Sequence, residues 1–101
     1  MNNRDINLVF VIESKSVILS DFMRDIINRY EESPCQDRTR VWVEELLKDI
    51  YKLELSILDL MKDCWTVRVE SIEAKNKLEE TSKRLDKMLG LLYEIERKLK
   101  N

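Results

Sequence analysis

The sequence contains no histidine, one glycine, one proline and two cysteines among its 101 residues. Without histidine, the chain lacks the side chain that most often serves as a general base, proton shuttle or zinc ligand. One glycine and one proline supply too few turn-forming residues for a multistranded sheet, a barrel or a loop-built active site. Cys35 and Cys64 are too few to cross-link a small secreted domain, and they lack the spacing of a zinc site. We therefore expect no enzyme, no metal and no other cofactor.

The charges and apolar runs narrow the class of partner. Eighteen basic and twenty acidic residues leave a net charge of −2, so no overall field attracts nucleic acid or an anionic membrane. No apolar run approaches the ~20 residues of a membrane span, and the run at residues 8–12 is shorter than the ~7–15 residues of a signal peptide. We expect an intracellular protein, cytoplasmic or nuclear, that binds no nucleic acid, membrane or small molecule.

A break near Ser33 divides the chain into two predicted helices. Ser33 and Gln36 have the spacing of a capping box, and Pro34 occupies the first helical position after Ser33. Pro34 also pushes Ser33 out of helical geometry, which ends the preceding helix. We predict one all-α domain over residues 1–101, with helix 1 at about 4–32 and helix 2 at about 34–100. Residues 8–12 are β-branched and aromatic and could be extended, but a lone strand would lack a partner, so we favour a helix there.

Helix 1 has one apolar face, and helix 2 has a long heptad repeat. In helix 1 the face comprises Val17, Ile18, Phe22, Ile26 and Tyr30. In helix 2, counting Val43 as position a, every a and d position through Leu99 is apolar except Ser71 and Thr81. A heptad held this long is typical of a coiled coil, and an unbroken helix 2 would span about 100 Å.

Apolar residues outside the heptad positions are frequent over residues 41–72 and sparse from Glu73 onward. Helix 1, folded back, reaches only the first half of helix 2, so residues 73–100 are predicted to project as an arm. The predicted fold is a helical hairpin, with a shorter first helix and a long heptad-repeat second helix, completed by oligomerisation. The alternative is a break between Asp63 and Ser71 that gives a compact three-helix bundle, in which Trp65 and Val69, which lie off the heptad positions, would mark the corner.

The predicted contact residues follow from the uncovered heptad seam. Protein helices, from this chain or from other subunits, are the expected partners. The function we expect is a non-catalytic interaction or scaffold subunit of a larger intracellular complex. The alternative is a homodimeric four-helix-bundle regulator, inhibitor or viral accessory protein. Trp42 and Trp65 are the predicted aromatic anchors, and the predicted seam comprises Ile57, Leu60, Cys64, Val67, Leu78, Leu85, Met88, Leu92, Ile95 and Leu99.

Overall fold

Three helices make up the part of the chain that the computed structural model describes, residues 1–33 and 38–101. They are α1 (Asn3–Glu32), α2 (Arg40–Thr66) and α3 (Ile72–Lys100), and these residues form no strand. The all-α prediction is therefore confirmed. The prediction of one unbroken helix 2 is wrong, because α2 ends at Thr66 and the chain reverses through residues 67–71. The first helix is also not the shorter one, since α1 has 30 residues and α2 has 27.

Local caps explain where the first two helices begin and end. The Asn2 side chain accepts the backbone N–H of Asp5 at 2.7 Å, so α1 begins at Asn3 and residues 8–12 are helical, as predicted. α1 ends at Glu32, and Ser33 is extended, as expected before a proline. The predicted capping box with Pro34 and Gln36 lies outside the described residues, as does Cys35. The second helix begins at Arg40, later than the predicted residue 34, because Thr39 Oγ1 accepts the N–H of Trp42 at 3.1 Å.

The reversal between α2 and α3 is held by the start of α1. The fully buried carboxylate of Asp5 accepts the backbone N–H groups of Glu70 at 3.0 Å and Ser71 at 2.9 Å. Asn2 Nδ2 donates to the Glu70 carboxylate at 3.0 Å. Ser71 then caps α3, because its Oγ accepts the N–H of Ala74 at 3.0 Å. As a result, α1 and α3 begin at the same end of the molecule.

The second helix runs antiparallel to the other two. Near the opposite end, Arg29 of α1 forms an ion pair of 2.9 Å with Asp49 of α2. The third helix packs against both α1 and α2, and the molecule measures 54 × 18 × 16 Å. An unbroken helix 2 would be about 100 Å long. Residues 73–100 therefore do not project as an arm, and the three-helix arrangement, kept above as the alternative, is the one observed.

The core lies along the axis of the three helices. α2 and α3 contribute most of its completely buried side chains, among them Ile50, Ile57, Leu85 and Leu92. The seven-residue count of a and d positions continues unchanged across residues 67–71. The a and d positions of α2 and of α3 point into the same core. An unbroken heptad repeat in the sequence therefore does not require an unbroken helix.

Arg38 links the end of α1 to the beginning of α2. Its Nε donates to the carbonyl oxygen of Ser33 at 3.1 Å, and its Nη2 donates to the carbonyl oxygen of Tyr30. The same guanidinium lies 4.4 Å from the centre of the Tyr30 ring and 5.3 Å from that of Trp42. Cation–π contacts of this kind contribute about 0.5–1 kcal/mol at partly exposed sites. This contact covers one face of the Trp42 ring with a side chain of the same chain.

Candidate functional site

The predicted heptad seam lies inside the molecule. Six of its ten side chains are buried in the core: Ile57, Leu60, Cys64, Leu78, Leu85 and Leu92. The remaining four pack against that core while partly exposed: Val67, Met88, Ile95 and Leu99. The chain itself thus covers the surface from which we predicted contacts with another polypeptide. Contacts with a partner would therefore have to use other residues.

The two predicted aromatic anchors differ in their surroundings. Trp42 is half-buried against Arg38, whereas the side chain of Trp65 is 71% exposed at the end of α2. Trp65 therefore remains available to a ligand or another chain, and the exposed part of Trp42 is small by comparison.

Helix α1 is apolar on two opposite faces. Its inner face contributes Val9, Ile12, Met23 and Ile26 to the core. Its outer face carries six large apolar side chains that are each between 45% and 69% exposed: Ile6, Phe10, Val11, Val17, Ile18 and Phe22. Asn7, Ser14 and Asp21, spaced seven residues apart, lie between these side chains, so a polar row interrupts the outer apolar face. The prediction that Val17, Ile18 and Phe22 share one face with Ile26 is wrong, because Ile26 is buried in the core whereas the other three are exposed.

Part of this outer face borders a long groove between α1 and α2, which we call the α1–α2 groove. Three adjoining depressions of about 260–280 Å³ form it. Val11, Ile18 and Phe22 line it from α1, and Ser56 and Asp59 line it from α2. The row of depressions follows the helix axes, so its shape suits another helix better than a compact small molecule.

Among the described residues, three basic and four acidic side chains line the α1–α2 groove, so its charges are nearly balanced. Lys15 and Asp63 line the same two depressions, and Arg29 is paired with Asp25 at 3.2 Å and Asp49 at 2.9 Å. A helix that enters the groove would therefore meet apolar side chains flanked by charges of both signs, and burial of the apolar surface would favour its binding.

Besides Asp5, two buried titratable groups lie away from this groove. Burial, followed by the negative charge of Glu96, raises the pKa of Glu54 to about 7, and the Oε2 atom of Glu54 has no hydrogen-bond partner. Burial also raises the pKa of the Cys64 thiol, with a smaller contribution from Asp63. A thiol held in its neutral form is a poor nucleophile. Within residues 1–33 and 38–101, no three Cys, Asp or Glu side chains gather as a metal site requires.

No protein-family model, no curated protein and no solved structure matches this chain. As far as the described residues extend, no helix is long and apolar enough to cross a membrane.

Proposed function

We propose that this chain is a non-catalytic interaction subunit that associates with other helices through the outer face of α1 and the α1–α2 groove. The observation that carries the proposal is the second apolar face of α1, with six large side chains at least 45% exposed. Full burial of a large apolar side chain contributes roughly 1.5–3 kcal/mol. Covering this face therefore provides a free-energy gain that the isolated chain does not obtain.

The occupant we propose is the same face of a second copy. The six side chains expose on the order of 600 Å² of apolar surface, as much as the largest patch on an ordinary monomer. Two copies would bury about 1,200 Å², which reaches the lower end of stable protein interfaces. Twofold pairing is also the commonest symmetry among oligomers, and it brings identical surfaces together.

The composition of this face suits close contact between two copies. Ser14 lies in the middle of the patch, with Phe10 and Val11 on one side and Val17 and Ile18 on the other. A small residue at the centre of a helix pair lets the two axes approach closely. The net charge of −2 gives little repulsion between copies.

Such pairing would give a four-helix core built from α1 and α2 of both copies. It keeps the homodimer alternative of the sequence analysis but moves its contacts from the heptad seam to α1. Assembly with different subunits into a larger intracellular complex stays a prediction. In such a complex, a helix of another subunit would bind the outer face of α1.

Sedimentation equilibrium at micromolar to submillimolar concentration tests the proposal. We expect the wild-type chain to approach twice its mass of 12.2 kDa as the concentration rises. Ile18→Glu should remain a folded monomer, since Ile18 is 54% exposed and its replacement leaves the core intact. Ile18→Val should still dimerise.

The matched control is Ile72→Glu. Ile72 is 74% exposed, and it is the first residue of α3, where a negative side chain is well placed against the helix dipole. This variant should dimerise like the wild type. A wild-type chain that stays monomeric at every concentration, or dimerisation that survives Ile18→Glu, would show that the second copy is the wrong occupant.

A further inference from the structure

A second concave site lies on the α2–α3 side of the molecule, where α2 ends and the chain reverses. We call it the corner pocket. Its volume is about 490 Å³, larger than any of the three depressions of the α1–α2 groove. Its walls come from the end of α2, from residues 67–69 and from the first half of α3. A volume of several hundred Å³ is in the usual range for a small-molecule site.

The interior of the corner pocket is mostly apolar. The exposed indole of Trp65 forms one wall, and Val67 and Val69 of the reversal form another. The buried side chains of Cys64 and Leu78 also line it. Because burial keeps the Cys64 thiol in its neutral form, this residue adds an uncharged surface.

The charged residues of the corner pocket are exposed and therefore lie at its rim. They are Arg68, Lys75 and Glu79. Glu79 is paired with Lys83 at 3.5 Å. By contrast, neither Arg68 nor Lys75 lies within ion-pair distance of an acidic side chain in the described ranges. Among the described residues, these two cations therefore have no acidic partner beside an apolar cavity, and this combination favours an anion that carries an apolar body.

We propose that the corner pocket binds a single-chain amphipathic carboxylate of the fatty-acid type. The alkyl chain would lie between Trp65, Val67 and Leu78, where it removes apolar surface from water. The carboxylate would lie at the rim, where the guanidinium of Arg68 can donate two parallel hydrogen bonds and Lys75 adds a second positive charge. The site is independent of the proposed pairing through α1, and it revises the expectation that the chain binds no small molecule.

Fluorescence titration with dodecanoate tests this site. In a Trp42→Phe background Trp65 is the only tryptophan, so the emission reports on the corner pocket alone. We expect a saturable blue shift with one bound dodecanoate per chain, confirmed by isothermal titration calorimetry below the micellar concentration. The variant Arg68→Gln/Lys75→Gln should bind dodecanoate about tenfold more weakly or worse, while its binding of neutral dodecanol should stay unchanged.

Two controls separate the pocket from non-specific adsorption. The variant Lys62→Gln/Lys87→Gln loses the same charge from two exposed positions outside the pocket, and it should bind dodecanoate as tightly as the parent chain. Dodecylammonium should bind at least about tenfold more weakly than dodecanoate. The proposal is overturned if the two double variants behave alike, if the cationic and anionic amphiphiles bind equally, or if only anionic phospholipid vesicles shift the Trp65 emission.

Discussion

The carboxylate of Asp5 accepts the backbone N–H of Ser71 at 2.9 Å, although the two residues lie 66 positions apart. This bond satisfies a helix-terminal N–H and fixes the corner at which α3 begins. Asp5→Asn keeps the size of the side chain but removes its negative charge, and with Oδ1 in place of the shared acceptor its Nδ2 would replace the oxygen that lies 3.3 Å from the Glu70 N–H. We expect the variant to unfold several degrees below the wild type at pH 7, measured by circular dichroism. Asp21→Asn, at an exposed position on α1, should leave the melting temperature nearly unchanged.

The contribution of Asp5 should disappear in acid. The hydrogen bond from the Ser71 N–H holds the pKa of Asp5 below its ordinary value. Burial acts in the opposite direction, and the hydrogen bond from the Glu70 N–H lowers the pKa further. The unfolded chain therefore binds a proton on Asp5 before the folded chain does, and stability falls as the pH drops through this range. We expect the difference in unfolding free energy between wild type and Asp5→Asn to be constant near neutrality and to shrink below about pH 4. A difference that persists unchanged at pH 2 would contradict this role.

Glu54 should have the opposite pH dependence. Its pKa is raised to about 7 by burial and by Glu96, so between about pH 4.5 and 7 the folded chain binds more protons than the unfolded one. The unfolding free energy should therefore decrease as the pH rises through this window. The chain has no histidine, the side chain whose ordinary pKa would lie in this window.

The variant Glu54→Gln tests this assignment by urea unfolding at pH 5 and pH 8.5. It removes the buried charge, so it should be more stable than the wild type at pH 8.5, by up to about 3 kcal/mol, and close to it at pH 5. Glu45→Gln, at an exposed position on the same helix, should show no such dependence. Equal effects of Glu54→Gln at both pH values would show that Glu54 stays ionised in the fold.

Gly90 is a weak point of α3. It is exposed, and a Cβ added there would meet nothing within 4 Å. Alanine is more favourable than glycine by about 1 kcal/mol in a helix interior. We expect Gly90→Ala to raise the unfolding free energy by about 0.5–1 kcal/mol and the melting temperature by a few degrees, measured in dilute solution. A destabilised variant would mean that another chain approaches Gly90 closely.

The sequence was sufficient to predict the helical class and the end of α1 before Pro34, because both depend on local composition and on the proline. It left the start of α1 open, because residues 8–12 are β-branched and aromatic and the Asn2 cap was not recognised. The reversal at residues 67–71 depends on Asp5, which is distant in sequence, and the reversal contains no glycine or proline. The local sequence features that indicate this reversal were weak. They were the β-branched Thr66, Val67 and Val69, together with Ser71 as an N-cap and Glu73 in the first turn of α3.

The candidate site was harder to predict for a related reason. Heptad spacing shows that a face is buried, but it does not show whether the same chain or a second chain buries it. Once α3 folds back, the predicted seam is covered, and the uncovered apolar surface moves to α1. The outer face of α1 could have been recognised from the adjacent pairs Phe10–Val11 and Val17–Ile18, because paired apolar residues extend around more than one side of a helix.

Leu85 distinguishes the folded-back arrangement from a projecting arm. If residues 73–100 formed an arm, Leu85→Glu would abolish association and leave the rest of the chain helical. In the three-helix structure Leu85 is completely buried, and even Leu85→Ala should cost about 2–5 kcal/mol of the ~5–15 kcal/mol that stabilises a domain. We therefore expect Leu85→Glu to lose most of its helical signal at 222 nm at any protein concentration, while Lys87→Glu, exposed on the same helix, stays folded. A Leu85→Glu chain that remained helical and monomeric would place α3 outside the core.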